Sequence, residues 1–153
     1  MGAPFGDAYL RHLRHPSRAG TWPDGTPDVA TGEASDPEGT HEARRVRLQL
    51  RGSAAGPIED ARFQAFGCSA TLACASFVAD AVVGRDAAAA ATLAPEDVIR
   101  ALEVPRERAS AAELAVRALR AALARRSARG SARSALPSRE GSRADGSRPR
   151  PGD

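Results

Sequence analysis

The chain has 153 residues, a net charge of +3 and a pI of about 9.6, with 42% hydrophobic but only 4% aromatic residues. That composition supports one domain with a small, alanine-rich core, and it excludes a membrane span, because no apolar run reaches the ~18 residues one needs. Two cysteines, Cys68 and Cys74, exclude a disulfide framework and a cluster held by four thiolates of one chain.

The positive charge is uneven. All 22 basic residues are arginine, a pattern of GC-rich coding rather than of chemistry. Eight of them fall between Arg125 and Arg150, against Glu140, Asp145 and Asp153, and the rest of the chain is slightly acidic. The tail has no aromatics to stack on bases, so nucleic acid is not the expected partner. The N-terminus has no charged segment followed by an apolar one, so a reducing cytoplasm is the expected compartment.

Residues 7–14 read as a short helix with Tyr9, Leu10 and Leu13 on one side, closed by His15-Pro16. His12 and His15 are expected as surface groups at its end. Residues 21–40, rich in Gly, Pro, Asp and Thr, read as a loop. In 44–51, Val46, Leu48 and Leu50 alternate with Arg45, Arg47, Gln49 and Arg51, the pattern of a half-buried strand. After a turn at 52–57, residues 58–66 form a second strand with Ala61, Phe63 and Ala65 on one face, giving an antiparallel hairpin.

A helix is expected over 68–83, with Leu72, Ala75, Ala79 and Val82 inward and Gly84 as its stop. Pro95 fits the first position of another helix, carrying Val98, Ile99 and Leu102. Ser110 and Glu113 have capping-box spacing at the start of a last helix, which should run to about residue 126 with Val116, Leu119 and Leu123 on one face. The expected fold is α+β: a small antiparallel sheet with helices packed on one face. Residues 1–126 form the expected domain. Residues 127–153, Arg/Ser/Gly/Pro-rich, form an expected disordered tail.

The most informative stretch is Phe66-Gly67-Cys68-Ser69-Ala70-Thr71. It places a thiol at a strand-to-helix turn, where free backbone N–H groups and the positive end of the helix dipole favour thiolate. Such a thiolate can ligate a metal or take up sulfur; taken alone, Cys68 also fits a small buried thiol at a helix start. Cys74, about 9 Å and 600° further along the helix, falls on nearly the opposite side and reads as core. His41 and Glu42 are candidate ligands or solvated loop residues. With Cys68 they could make a mixed site for one iron, or for zinc as a surrogate. No Ser-His-Asp arrangement, phosphate loop or recognisable carboxylate pair is present, so an enzyme is not expected.

The segment Pro57-Ile58-Glu59-Asp60-Ala61-Arg62-Phe63-Gln64-Ala65-Phe66-Gly67-Cys68 resembles the "I-x-D-A-x-F-x-x-x-G-C" strand and cysteine turn of NifU/IscU-type iron–sulfur cluster scaffolds. His15-Pro16-Ser17-Arg18-Ala19-Gly20 is similar to their "N-P-R-N-x-G" segment, and Leu114-Ala115-Val116-Arg117-Ala118-Leu119 to their "L-A-x-x-A-L" helix. The resemblance covers about residues 9–124. It implies a small antiparallel sheet packed by helices and a [2Fe-2S] cluster held by three cysteines with a nearby Asp or His. Sulfur would come from a cysteine desulfurase, and the cluster would pass to apo-proteins.

Of the three cysteines, the resemblance maps one, onto Cys68. The first lies in "N-P-x-C-G-D", here Asp36-Pro37-Glu38-Gly39-Thr40-His41, which puts Gly39 at the cysteine and His41 at the aspartate; an ungapped count from Leu48 puts Glu42 at the cysteine instead. The third falls on Ala111. The chaperone-binding "L-P-P-V-K" segment corresponds to Val104, Pro105, Arg106, Glu107 and Arg108. The implied function is a cluster-assembly scaffold that accepts sulfur or iron at Cys68, with a homodimer meeting at the Cys68 turn as one way to share a cluster. The alternative is a non-ligating module that docks to a desulfurase, chaperone or apo-protein.

Overall fold

The computed structural model describes residues 6–36 and 43–134. The order is α1 (Asp7–Arg14), β1 (Val29–Ser35), β2 (Arg45–Arg51), β3 (Asp60–Phe66), α2 (Ser69–Val82), α3 (Ala87–Ala91), α4 (Pro95–Leu102), a 3-10 turn (Arg106–Arg108) and α5 (Ala109–Ser134). The strands form one antiparallel sheet in the order β1-β2-β3. Val46, Leu48 and Leu50 of β2 stand opposite Ala65, Phe63 and Ala61 of β3. Val46, Leu48, Leu50, Ala61 and Phe63 are all buried, because period-2 alternation turns them to the face that α2 and α5 cover. The expected α+β layering is what forms.

The sequence reading of 21–40 as loop is corrected by β1. Its inward positions, Ala30, Gly32 and Ala34, pair with Leu50, Leu48 and Val46. They are too small to register as hydrophobic alternation. Their smallness has a structural reason: α5 lies directly on them. A Cβ added at Gly32 would run into the backbone of Ala118 and Ala122 and come within 2.7 Å of the Ala121 carbonyl carbon.

α5 also runs further than expected. Arg126 does not face solvent; it is 3% exposed and donates from Nη2 to the carbonyls of Ser53 (2.5 Å) and Gly56 (2.7 Å). These bonds pin the helix to the 53–57 turn beyond the expected stop, and it continues to Ser134. The tail expected from 127 is therefore helical as far as 134, and residues 135–153 lie outside the described residues. Ser110 sits inside α5, after the 3-10 turn, rather than capping it. The short α3, capped by Asp86 accepting from the Ala89 N–H, is a further unanticipated element.

Residues 18–22 strap the outer side of the sheet. Gly20 N–H donates to the Phe63 carbonyl (2.9 Å) and Phe63 N–H to the Arg18 carbonyl (3.0 Å), which covers the free edge of β3. Trp22, buried on the outer face, has the guanidinium groups of Arg51 and Arg62 over its ring at 5.3 and 4.6 Å. Gln49 is buried beneath it and bonds both Trp22 N–H (2.7 Å) and C=O (3.1 Å).

α1 packs on α2 through Tyr9 and His12. His12 is 7% exposed, not a surface group as expected. Its Nδ1 lies 2.9 Å from Ser76 Oγ and its ring meets Phe77 edge-on. Burial pushes its pKa below the ordinary value, with Arg11 acting in the same direction, so it is held neutral.

Gly32→Ala should lower stability by about 1–3 kcal/mol, the usual range for overpacking a filled contact, read as a lower denaturation midpoint. An unchanged midpoint would contradict the close seating of α5 on β1.

Candidate functional site

The turn joining β3 to α2 is set by Gly67 and Cys68. Gly67 has φ of +140°, a region side chains rarely adopt, and a Cβ there would stand 2.8 Å from Arg44 Cγ and 2.9 Å from Thr71 Oγ1. The glycine lets the chain reverse beneath Arg44. Cys68 is then the N-cap of α2, with extended backbone, its carbonyl accepting from the N–H of Thr71 (3.0 Å) and Leu72 (3.3 Å).

The Cys68 thiol is half-buried and free. Its Sγ is 3.5 Å from Thr71 Oγ1. Burial alone would push this thiol up. The Thr71 hydroxyl, the N–H groups of Thr71 and Ala70 and the charge of Arg108 together outweigh burial, and the pKa falls below the ordinary thiol value. The helix N-terminus expected from sequence supplies the backbone share of this effect. Sequence reasoning missed both Thr71, whose only signal is its place three residues after the helix-start cysteine, and Arg108, which comes from the 3-10 turn before α5.

The other cysteine behaves oppositely. Cys74 is fully buried, and burial followed by the proximity of Cys68 pushes its thiol up to about 12. It is core, as expected. Leu72, expected on the inward stripe of α2, is 36% exposed; Thr71 takes a buried position instead. Phe66, the last residue of β3, is 66% exposed. Cys68 is thus flanked along the chain by two exposed apolar side chains.

The remaining candidates do not join Cys68. His41 and Glu42 lie outside the described residues. Ala111, at the third-cysteine position, is fully buried in α5. Asp36 is held in a bidentate pair by Arg44 (2.6 and 3.1 Å), and the hydrogen bonds from that guanidinium keep its carboxyl below the usual range. Among the described residues, no group of three or more His, Cys, Asp or Glu side chains could hold a metal ion. The charged side chain that acts on Cys68 is a cation, Arg108. The described donors do not amount to a cluster site within one chain.

The segment expected to bind a chaperone is only partly available. Val104 is turned inward at 7% exposed and Pro105 is half-buried, so the exposed part of the segment consists of Arg106, Glu107 and Arg108. Tyr9 closes the inner side of the turn, with its hydroxyl 2.9 Å from Ser69 Oγ.

Comparison with known proteins gives a consistent picture. The family model described as NifU-like N terminal domain matches residues 5–132. The chain is 28% identical over 120 residues to the iron-sulfur cluster assembly scaffold protein IscU of Escherichia coli K12, covering 78% of this chain and 91% of that one. It is 31% identical to the mitochondrial iron sulfur cluster assembly protein 1 of Schizosaccharomyces pombe, over 74% of this chain and 58% of that one. Its fold is similar, with a TM-score of 0.58 and 15% identity over 78% of this chain and 96% of the other, to a crystal structure titled as a putative iron-sulfur cluster assembly scaffold protein for the SUF system from Fervidobacterium islandicum.

Iodoacetamide at neutral pH should label Cys68 and leave Cys74 unlabelled until the chain is unfolded, as read by peptide mass mapping. Thr71→Val removes the hydroxyl that bonds the thiolate and should slow Cys68 labelling severalfold at fixed pH. Equal labelling of the two cysteines in the folded chain would contradict this site.

Proposed function

Because this chain belongs to the NifU-like N-terminal domain family, matched over residues 5–132, we propose that it serves iron–sulfur cluster assembly with Cys68 as its sulfur acceptor. The observation that carries this reading is the half-buried thiol at the α2 N-cap, lowered in pKa, with the charge of Arg108 acting on it and no metal-holding group among the described residues. The family pattern supports an anionic product there as well. Counted from Glu42, the aspartate of "N-P-x-C-G-D" falls on Arg44, and the third cysteine falls on Ala111. In that register two of the family's ligand positions carry a cation or a methyl group, Arg44 and Ala111, while the first-cysteine position carries the carboxylate of Glu42.

The proposed donor is a cysteine desulfurase bearing a persulfide. The Cys68 thiolate attacks the terminal sulfur; a new S–S bond forms on Cys68, the donor's S–S bond breaks, and the donor cysteine leaves as a thiolate. The persulfide on Cys68 is itself an anion, held by the N–H groups that favour the thiolate and by Arg108. Iron or a [2Fe-2S] cluster, as cargo bound for apo-proteins, then requires ligands from beyond the described residues. These would come from His41 or Glu42, from a second copy meeting at the Cys68 turn, or from the client. Zinc would be a surrogate at such a site. On this reading the protein is a carrier rather than an enzyme, since Cys68 is regenerated only by passing its sulfur on. It works in the cytoplasm, with a chaperone met at the exposed Arg106, Glu107 and Arg108. Among the described residues, no helix is long and apolar enough to cross a membrane.

A second reading, a docking module without sulfur chemistry, is favoured by the exposed Phe66 and Leu72 beside the turn. On that reading the surface is what matters and the thiol is incidental.

The two separate in one experiment. After anaerobic incubation with a desulfurase and free cysteine, mass spectrometry should find one added sulfur on Cys68 in the wild type and in Cys74→Ala, and none in Cys68→Ala. Desulfurase binding that survives in every variant, with no sulfur added to the wild type, would replace the acceptor reading with the docking one.

A further inference from the structure

A cavity of about 520 Å³ shares no residue with the Cys68 turn. It lies between the 23–26 turn, the outer edge of β1 and the second half of α5. Its volume is in the range of small-molecule sites. Its α5 wall is Ala121, Arg125 and Arg129, one stripe at four-residue spacing.

The charges around it are unequally matched. On the sheet side, Arg47 is engaged by Asp24 (3.1 Å) and Glu33 (3.6 Å), and Glu33 also accepts from Arg45 (2.6 Å). On the helix side, Arg125 and Arg129 are exposed and take part in no ion pair among the described residues. They stand one turn apart, where like charges repel unless an anion bridges them. Arg129 and Ala30 also line the adjoining small cavity, which contains Asp28 and Arg126. Arg126 is the second, independent observation. Its guanidinium is 3% exposed, its Nε and Nη1 are buried with no acceptor, and it forms no ion pair among the described residues. Turn carbonyls accept from its Nη2, but no described carboxylate neutralises it, so it adds to the positive potential beneath the groove. Across the two cavities four arginines, Arg47, Arg125, Arg126 and Arg129, stand against three carboxylates, Asp24, Glu33 and Asp28, and two of those carboxylates are drawn to Arg47 on the sheet side.

We propose that the groove between β1 and the Arg125–Arg129 stripe of α5 binds a small phosphate-bearing anion. Guanidinium forks match phosphate oxygens two at a time, and the volume leaves room for more than the phosphoryl groups. On the opposite wall Thr31, whose hydroxyl accepts from Gln49 Nε2, keeps a proton to donate to the remainder, while the Thr26 hydroxyl donates to the Pro23 carbonyl. The site does not depend on the sulfur chemistry assigned to Cys68.

The test is titration calorimetry of the full chain at low salt with inorganic pyrophosphate and, separately, with adenosine triphosphate. Two variants accompany it. Arg125→Ala/Arg129→Ala removes the stripe, and alanine at Arg139, Arg143, Arg148 and Arg150 removes the distal basic residues. At least one probe should bind, weakened at least about tenfold by the stripe variant and unchanged in the distal variant. Tighter binding of the nucleotide would assign the rest of the cavity to its nucleoside, and equal binding would assign the site to free polyphosphate. No binding of either probe, binding undiminished in the stripe variant, or binding lost only in the distal variant overturns the proposal. Circular dichroism of the stripe variant guards against misreading an unfolded chain.

Discussion

The close seating of α5 on β1 is the contact on which the rest of this structure depends. Core side chains here are small, and each buried CH2 contributes only about 0.8 kcal/mol, so the fold gains by bringing backbones near one another instead of by bulk. Ala30, Gly32 and Ala34 present almost no side chain to the helix, and Ala118 and Ala122 return almost none. The helix can therefore lie on the strand itself. Both of its ends then acquire fixed addresses. Its beginning, just after Arg108, sits beside the Cys68 turn. Its second half reaches the 53–57 turn, where Arg126 is anchored.

The chemistry of Cys68 follows as a contest between opposing effects. A half-buried thiol loses solvation for its charged form, and that effect is the largest of those acting on it. Cys74, six residues on and fully buried, shows what happens when little opposes it. At Cys68 the opposition is local and directional: two backbone N–H groups at a helix start, one hydroxyl, one guanidinium. None would suffice singly against burial. Gly67 makes the arrangement possible, because its positive φ turns the chain sharply enough to end a strand and begin a helix without an intervening loop.

Much of this was legible in the sequence because it rests on periodicity. β2 and β3 showed alternation, α4 showed proline at its first turn, and the Phe66-Gly67-Cys68 junction showed a break between two periods. What escaped lacked a local signal. β1 carries no hydrophobic alternation, since its inward residues were selected for smallness. The end of α5 looked like the start of a polar tail, because an arginine that bonds three turn carbonyls reads no differently from a solvated one. His12 is polar in sequence but neutral and buried in the fold, satisfied by Ser76 across an interface 64 residues away in the chain. Arg108 reads as surface until tertiary packing places it by the thiol. Family resemblance pointed to the Cys68 turn, and of the ligands it implied beyond Cys68, one falls on buried Ala111 and the others on residues 37–42, outside the described structure.

The account stands on the protonation state of one sulfur atom. Selective ¹³Cβ labelling of cysteine, followed by a pH titration of the Cys68 resonance in the folded chain, reads that state without any reagent or partner. A Cys68 midpoint below the ordinary thiol value, with the Cys74 resonance unmoved across the same range, is the predicted result. A Cys68 midpoint at or above the ordinary value would mean that burial prevails at the turn, and the sulfur-accepting role would fall with it.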